Sequence, residues 1–464
     1  MGDRPAALDQ RLDGSGGTRH AATGIPTRQP GGVPPGGCGA AAGSRAGWVR
    51  RRNAAVAPSC RACGAALHES VADLGMTPLS NAFVAPEHAR RMEPHYPLHA
   101  LVCSDCRLVQ LADIEGGPAG FAEYLYFSSV SDGWVRHAAA YAARMEAALY
   151  LGPQTPVVEV GSNDGYLLQH FVRRGIPVLG VDPAGNVAQS AIVRGVPTEV
   201  AAFGAATARR LRATYPAPVL MVANNVLAHV PDPHDFVEGF RLLLAPGGVA
   251  TFEFTHLLRL IEGGEFDTIH HEHFSYLSLL VVELTLGQHG LVVHDVEELA
   301  THGGSLRAHA RHVEDASKPV AAAVPRLRAM ERAAGLEGGD AYRRFAARVV
   351  ETKCALLDFL VGARRAGQRV VGYGAPAKGN TLLNYCGVGA ELLEFTVDRS
   401  PHKQGLLLPG TRIPVREPAA ITEARPDFVL ILPWNLRDEI AVQMAAIRDW
   451  GGRFVTPIPS LQLF

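Results

Sequence analysis

Lysine is nearly missing from this 464-residue chain: Lys318, Lys353, Lys378 and Lys403 are four among 44 basic side chains. Arginine supplies the rest, beside abundant alanine and glycine. That bias fits a GC-rich bacterial genome and makes each retained lysine informative. Net charge is missing too. With 45 acidic residues against 44 basic ones the formal balance is −1, which removes the main electrostatic reason to expect nucleic acid or an anionic membrane surface as a partner. No run approaches the ~18 uninterrupted apolar residues of a bilayer-spanning helix. The opening MGDRPAALDQRLDG lacks a basic stretch followed by an apolar one, so no secretory signal is expected and the cytoplasm is the default compartment. Seven cysteines are an odd number for a secreted disulfide framework, and a chain of this length needs no such staples.

What is present is globular, with 47% apolar and 19% charged residues and length for roughly three domains at ~150 residues each. Residues 1–57 hold 12 glycines, five prolines and eight arginines without apolar periodicity. Such a stretch cannot bury enough surface to offset its ordering entropy, and a disordered leader is expected there. Residues 58–120 are short, turn-rich and flanked by cysteines, as in a small zinc module. From 121 to 300 short apolar runs alternate with helical patterns. VVEV (157–160), PVLGVD (177–182), VLMVANN (219–225) and GGVATFEF (247–254) read as buried strands of a parallel sheet joined by crossover helices. Residues 316–366 predict one long helix or a helical pair. Beyond them a strand, a glycine loop and a helix in QRVVGYGAPAKGNTLLNY, with strands at 393–398 and 427–433, predict a second α/β domain over 301–464.

Four motifs carry chemistry. Cys60-x-x-Cys63 and Cys103-x-x-Cys106 form two knuckles that complete a closed four-thiolate zinc site, structural because no coordination position stays open. Cys38, Cys354 and Cys386 fall outside the pattern. Next, Glu159-Val160-Gly161-Ser162-Asn163-Asp164-Gly165 runs from a strand into a glycine turn, where a ligand can approach the backbone. Glu159 would repel a pyrophosphate and suits a cationic sulfonium with an amino-acid tail. Asp182 ends the following strand and can accept both ribose hydroxyls. This resembles the S-adenosylmethionine site of class I methyltransferases, with Asn224 and Asn225 at the fourth strand as further cofactor contacts. An ordinary strand-to-helix turn is the plainer alternative. Third, His229 and the run His270-His271-Glu272-His273-Phe274-Ser275-Tyr276 offer imidazoles for proton transfer near neutral pH. A second metal site is the rival, but adjacent His270 and His271 point apart in any regular structure. Polar loop residues with structural hydrogen bonds are the bland reading. Fourth, Gly372-Tyr373-Gly374-Ala375-Pro376-Ala377-Lys378-Gly379-Asn380-Thr381 opens a helix whose N–H groups and Lys378 could hold phosphate. A Rossmann-like turn without a ligand remains equally open.

Together these elements, over residues 58–464, resemble the S-adenosylmethionine-dependent C-methyltransferases that act on nucleotide-linked deoxysugars in antibiotic biosynthesis. The resemblance rests on the paired C-x-x-C, EVGSNDG, HEHFSY and GYGAPAKGNTLLN. It implies an α/β fold: a class I methyltransferase sheet between an N-terminal zinc module and a C-terminal Rossmann-like domain. It also implies His273 as the base, Glu272 beside it, His229 on the fourth-strand loop, and Tyr124 or Tyr126 of EYLYFSS as a partner. The family usually carries Tyr where this chain has His270, which bears on the sugar accommodated. Ser128, Lys378, Asn380 and Thr381 are the expected substrate contacts, and the partner is a small nucleotide sugar, with thymidine diphosphate and C-3 following from the resemblance.

The chemistry can be argued independently. Carbon methylation needs a carbanion equivalent, so a base must remove a C–H proton beside a ketone while a donor stabilises the enolate oxygen. An O- or N-methyltransferase needs a weaker base. The His/Glu/Tyr set argues against that class, and labelled-methyl transfer with a 4-keto nucleotide sugar separates it from a non-catalytic or NAD-dependent protein.

Overall fold

The computed structural model describes residues 58–112 and 127–464; the expected leader, Tyr124 and Tyr126 lie outside them. Three strands, β1 (Glu69–Thr77), β2 (Tyr96–Val102) and β3 (Val109–Leu111), pair antiparallel beside the cysteine knuckles. The central sheet then takes β4 (Val157–Val160), β5 (Val178–Asp182), β6 (Thr198–Val200), β7 (Leu220–Asn224) and β8 (Val249–Thr255), which are parallel to one another. Every residue of β4 and β7 is buried, because crossover helices cover both faces of a parallel sheet. The helix Pro233–Leu243 shows how locally these are specified. Asp232 caps it by accepting from His234 N and Asp235 N, and Pro233 occupies its first turn, where the missing N–H costs nothing.

After β8 the chain contributes β9 (Ser275–Tyr276) to the small sheet, alongside β3. It then returns with β10 (Leu291–Leu299) and β11 (Ser305–His312) to close the central sheet in the order β10-β11-β8-β7-β4-β5-β6, with β11 reversed. A boundary at 300 therefore falls inside the sheet, which ends at His312. The reason is chemical: SLRAHARH reads as polar, yet all eight residues are buried. Arg307, 1% exposed, pairs with Glu253 and Glu297 and lies 4.3 Å above the Tyr141 ring. The expected helical stretch is a pair, Ala323–Ala333 and Asp340–Arg365, separated by a segment containing Gly335, Gly338 and Gly339. The C-terminal sheet runs β14 (Val415–Arg416), β13 (Thr396–Val397), β12 (Val370–Tyr373), β15 (Phe428–Ile431), β16 (Arg453–Thr456), all parallel, with β17 (Gln462–Leu463) antiparallel at the edge. No helix among the described residues is long and apolar enough to cross a membrane.

Candidate active site

The four knuckle cysteines converge, their sulfurs all within 4.8 Å of one another. Cys60 and Cys106 are 3.4 Å apart and Cys63 and Cys103 3.5 Å, close to the ~3.8 Å between thiolates arranged tetrahedrally at ~2.3 Å from zinc. Gln110 donates to Cys60 Sγ at 3.1 Å, the outer-shell support that metal thiolates usually receive. The donor set fits zinc. Cys354 and Cys386 lie outside this cluster.

At the carboxyl end of the central sheet, β4 runs into a turn with left-handed backbone at Gly161 (φ +68°), Asn163 (φ +49°) and Gly165 (φ +79°). Gly161 is required as well by proximity, since a Cβ there would lie 2.4 Å from Val226 Cγ2. Asp182 organises the turn: Oδ2 accepts from Asn163 N and Oδ1 from Ala184 N, each at 2.9 Å. Glu159 is fully buried, with the Tyr166 hydroxyl beside its carboxyl and, among the described residues, no cationic side chain paired with it. Burial pushes its carboxyl well above the usual range, and Asp182 and Asp164 add to the rise. Such a group invites a cationic ligand, so the cradle fits a sulfonium cofactor with an amino-acid tail. Asp164 is anchored within the protein instead, by Arg194 at 2.7 Å and by Ser129. Ser128 N donates to Asn163 Oδ1 at 2.9 Å, so the turn Ser128–Val130 packs against the turn after β4. Asn224 Nδ2 meets Tyr166 Oη at 3.3 Å while its Oδ1 stays unpartnered among the described residues, and Asn225 has left-handed backbone.

The imidazoles assemble beside this cradle. Phe274 N donates to Ala228 O at 2.7 Å, joining the β7 loop to the loop that carries His270–His273. The His273 ring centroid then lies 3.9 Å from that of His270 and 4.7 Å from that of His229. His271 points away and donates from Nε2 to Pro97 O at 3.2 Å, as adjacency required. Burial, with His270 and His229 nearby, holds His273 well below the usual imidazole range; burial pushes His229 down to about 4 and His270 to about 3. His273 Nδ1 is 3.0 Å from Thr268 O. A carbonyl can only accept, so Nδ1 carries the proton and Nε2 keeps the lone pair a base requires. Glu272 accepts from Asn81 at 2.7 Å.

The C-terminal loop closes the site from the other side. Lys378 is half-buried at the start of the helix Ala377–Cys386, 4.4 Å from the Trp434 ring centroid and 3.1 Å from Asn435 Oδ1. Its charge helps depress both His270 and His302. Asn380 and Thr381 are each 1% exposed and bind protein: Asn380 donates to Ser80 O at 2.6 Å and Thr381 to Ile269 O at 3.1 Å. Their donors tie elements together, while Asn380 Oδ1 has no hydrogen-bond partner among the described residues.

Several residues went unread in the sequence. Trp134 stacks with His137 at 4.9 Å and Tyr166 at 5.8 Å and meets His302 at 5.1 Å, bridging cofactor cradle and imidazoles. Trp434 and Asp267 form a further contact at the turn preceding His270–His273. A signal existed for Trp434: Pro433-Trp434-Asn435 follows a parallel strand, where open α/β sheets place their sites. His302, in a polar Gly-rich turn, offered none.

Three family models match successive parts of the chain. A zinc binding domain matches residues 60–116, a methyltransferase domain 133–296, and a C-methyltransferase C-terminal domain 300–459. The C-methyltransferase NovU of Streptomyces niveus is 36% identical over 400 residues, covering 86% of this chain and 95% of that protein. Among solved structures, an S-adenosylmethionine dependent methyltransferase from Mesorhizobium loti aligns at 16% identity and a TM-score of 0.31, over 38% of this chain and 100% of that one. Magnesium protoporphyrin IX methyltransferase (ChlM) from Synechocystis aligns at 14% and 0.31, over 38% and 82%. The chain is an enzyme whose cofactors are S-adenosylmethionine and a structural zinc, and it belongs to the S-adenosylmethionine-dependent C-methyltransferase family.

Proposed function

We propose that this C-methyltransferase acts on a nucleotide-linked 4-keto deoxysugar, a thymidine diphosphate sugar methylated at C-3, in deoxysugar biosynthesis. The observation that carries the reading is the neutral His273, with Nδ1 protonated against Thr268 O and Nε2 left as acceptor beside the cofactor cradle. S-adenosylmethionine, held by Glu159, the Gly161–Gly165 turn, Asp182, Asn224 and Asn225, supplies an electrophilic methyl group. His273 Nε2 takes the proton from the carbon beside the ketone, and the C–H electron pair passes into an enolate whose oxygen takes the charge. His229, with Tyr124 or Tyr126, stabilises that oxygen. Glu272 orients an imidazole or holds a sugar hydroxyl, and His270 shapes the pocket where the family usually has Tyr. The diphosphate is remote from the reacting carbon, and its binding positions the sugar. Lys378 keeps two ammonium hydrogens beyond the one given to Asn435, and with Ser128 it is assigned to the substrate.

The test uses thymidine diphosphate-4-keto-6-deoxyglucose and methyl-labelled cofactor. His273→Asn should keep cofactor affinity and lose methyl transfer by ~10²–10⁴-fold, the usual share of a general base, and it should stop exchange of the substrate α-proton with D₂O. Near-normal turnover in the variant would assign the base elsewhere. Transfer to a sugar oxygen or nitrogen instead of carbon would overturn the enolate reading.

A further inference from the structure

The loop that presents His273 is fastened by the C-terminal domain through a contact far apart in sequence. Trp434, in the loop after β15, donates its indole N–H to Asp267 Oδ2 at 2.8 Å. Asp267 is fully buried in the short turn Phe266–Thr268, and the next residue, Thr268, supplies the carbonyl that binds His273 Nδ1. The indole is itself oriented, since the Lys378 ammonium lies over its ring while bonding to the neighbouring Asn435. Thr381 holds the same turn one residue later, through Ile269 O.

A buried carboxyl at this place is costly. Burial pushes the Asp267 carboxyl up to about 6 despite Lys378, the Trp434 indole and the backbone N–H groups of Asp267 and Thr268 within its own turn. An apolar side chain would pack the turn without that penalty. What it could not do is fix the turn to Trp434. The Thr268 carbonyl must stay within hydrogen-bond reach of one ring nitrogen, because a neutral imidazole that moves its proton to Nε2 has no lone pair there to act as base. Loss of tautomer control in a catalytic triad costs ~10⁴-fold in kcat, so the geometry of that carbonyl matters.

We propose that Trp434 and Asp267 are a positioning pair that anchors the Phe266–Thr268 turn and thereby sets the tautomer of His273. This makes the C-terminal domain a contributor to proton abstraction as well as to substrate binding. The inference rests on the reading of His273 as the base.

The test keeps the two separable. Trp434→Phe preserves an aromatic ring beneath Lys378 and removes only the N–H. Asp267→Asn retains a carbonyl acceptor for the indole. With thymidine diphosphate-4-keto-6-deoxyglucose, Trp434→Phe should lower kcat ~10–100-fold, the usual cost of losing an outer-shell orienting bond. Its zinc content and calorimetric affinity for S-adenosylmethionine should stay unchanged, which also certifies the fold. Asp267→Asn should keep most of the activity. ¹⁵N shifts of His273 should report protonated Nδ1 in the wild type and a tautomer mixture in Trp434→Phe. Wild-type kcat and wild-type ¹⁵N shifts in Trp434→Phe would overturn the pair, provided His273→Asn is inactive. If His273→Asn turns over normally the base reading falls, and the ¹⁵N shifts alone then decide whether the pair controls that ring.

Discussion

Burial makes a charged His273 costly, and its ring, 3.9 Å from that of His270 and 4.7 Å from that of His229, has neutral imidazoles rather than carboxylates to receive a proton beside. His302 is likewise pushed down to about 4 by burial, with Lys378 adding to the shift. His273 therefore stays neutral through the physiological range, and the acid limb of kcat/KM should lie well below pH 6.5. An acid limb at the ordinary imidazole value would count against His273 as the base. The same shifts link to stability. Unfolded, these rings bind protons below about pH 6.5; folded, His229 resists until about pH 4. The unfolded state thus holds more protons in that window, so stability is fully present above it and falls as pH drops through it. Denaturant midpoints at pH 7.5 and pH 5 should differ accordingly, and replacing His229 by Gln should shrink the difference.

At the scale of the element, the turn after β4 is a single device. Asp182 serves both as expected ribose acceptor and as the acceptor for Asn163 N and Ala184 N. Asp182→Ala should weaken S-adenosylmethionine by ~1.5–3 kcal/mol, the worth of a charged hydrogen bond. Gly161→Ala should do at least as much through the backbone, because its Cβ would lie 2.4 Å from Val226 Cγ2 at a φ of +68°. Calorimetry finding unchanged affinity in either variant would remove the turn from the cofactor site. The turn was legible because strand, glycines and a carboxylate about 20 residues on are a local pattern that backbone geometry dictates. The cysteine knuckles were legible for the same reason. Strand β11 was not, since its buried Arg307, His309, Arg311 and His312 are tolerable only through partners such as Glu253 and Glu297 from other strands. Nor were the protein partners of Asn380 and Thr381, Ser80 and Ile269, which lie far away in the chain. Long-range partners decide both cases, and spacing along the chain carries no trace of them.

Across the whole molecule, the loop that carries His273, the proposed base, is where three parts of the chain meet. The C-terminal side holds it through Trp434 and Thr381, and the central sheet through Ala228. The zinc module holds it most extensively. Strand β3 pairs with β9, Leu111 N donates to Phe274 O at 3.0 Å, and Asn81 bonds Glu272. Arg61, inside the first cysteine knuckle, donates to the same Phe274 carbonyl at 3.0 Å, immediately after His273. Zinc binding is folding free energy for such a module, so Cys106→Ser should destabilise it by several kcal/mol. The consequence should reach the chemistry unequally. The cofactor cradle is built from residues 159–225 of the central sheet, whereas the base loop borrows its edge from the zinc module. Stepwise removal of zinc by a chelator under reducing conditions should therefore lower methyl transfer in proportion to the metal lost, while calorimetric affinity for S-adenosylmethionine changes little. Zinc-free protein with full turnover would show that the module does not support the base loop; equal loss of turnover and cofactor affinity would show that the metal holds up the central sheet as well.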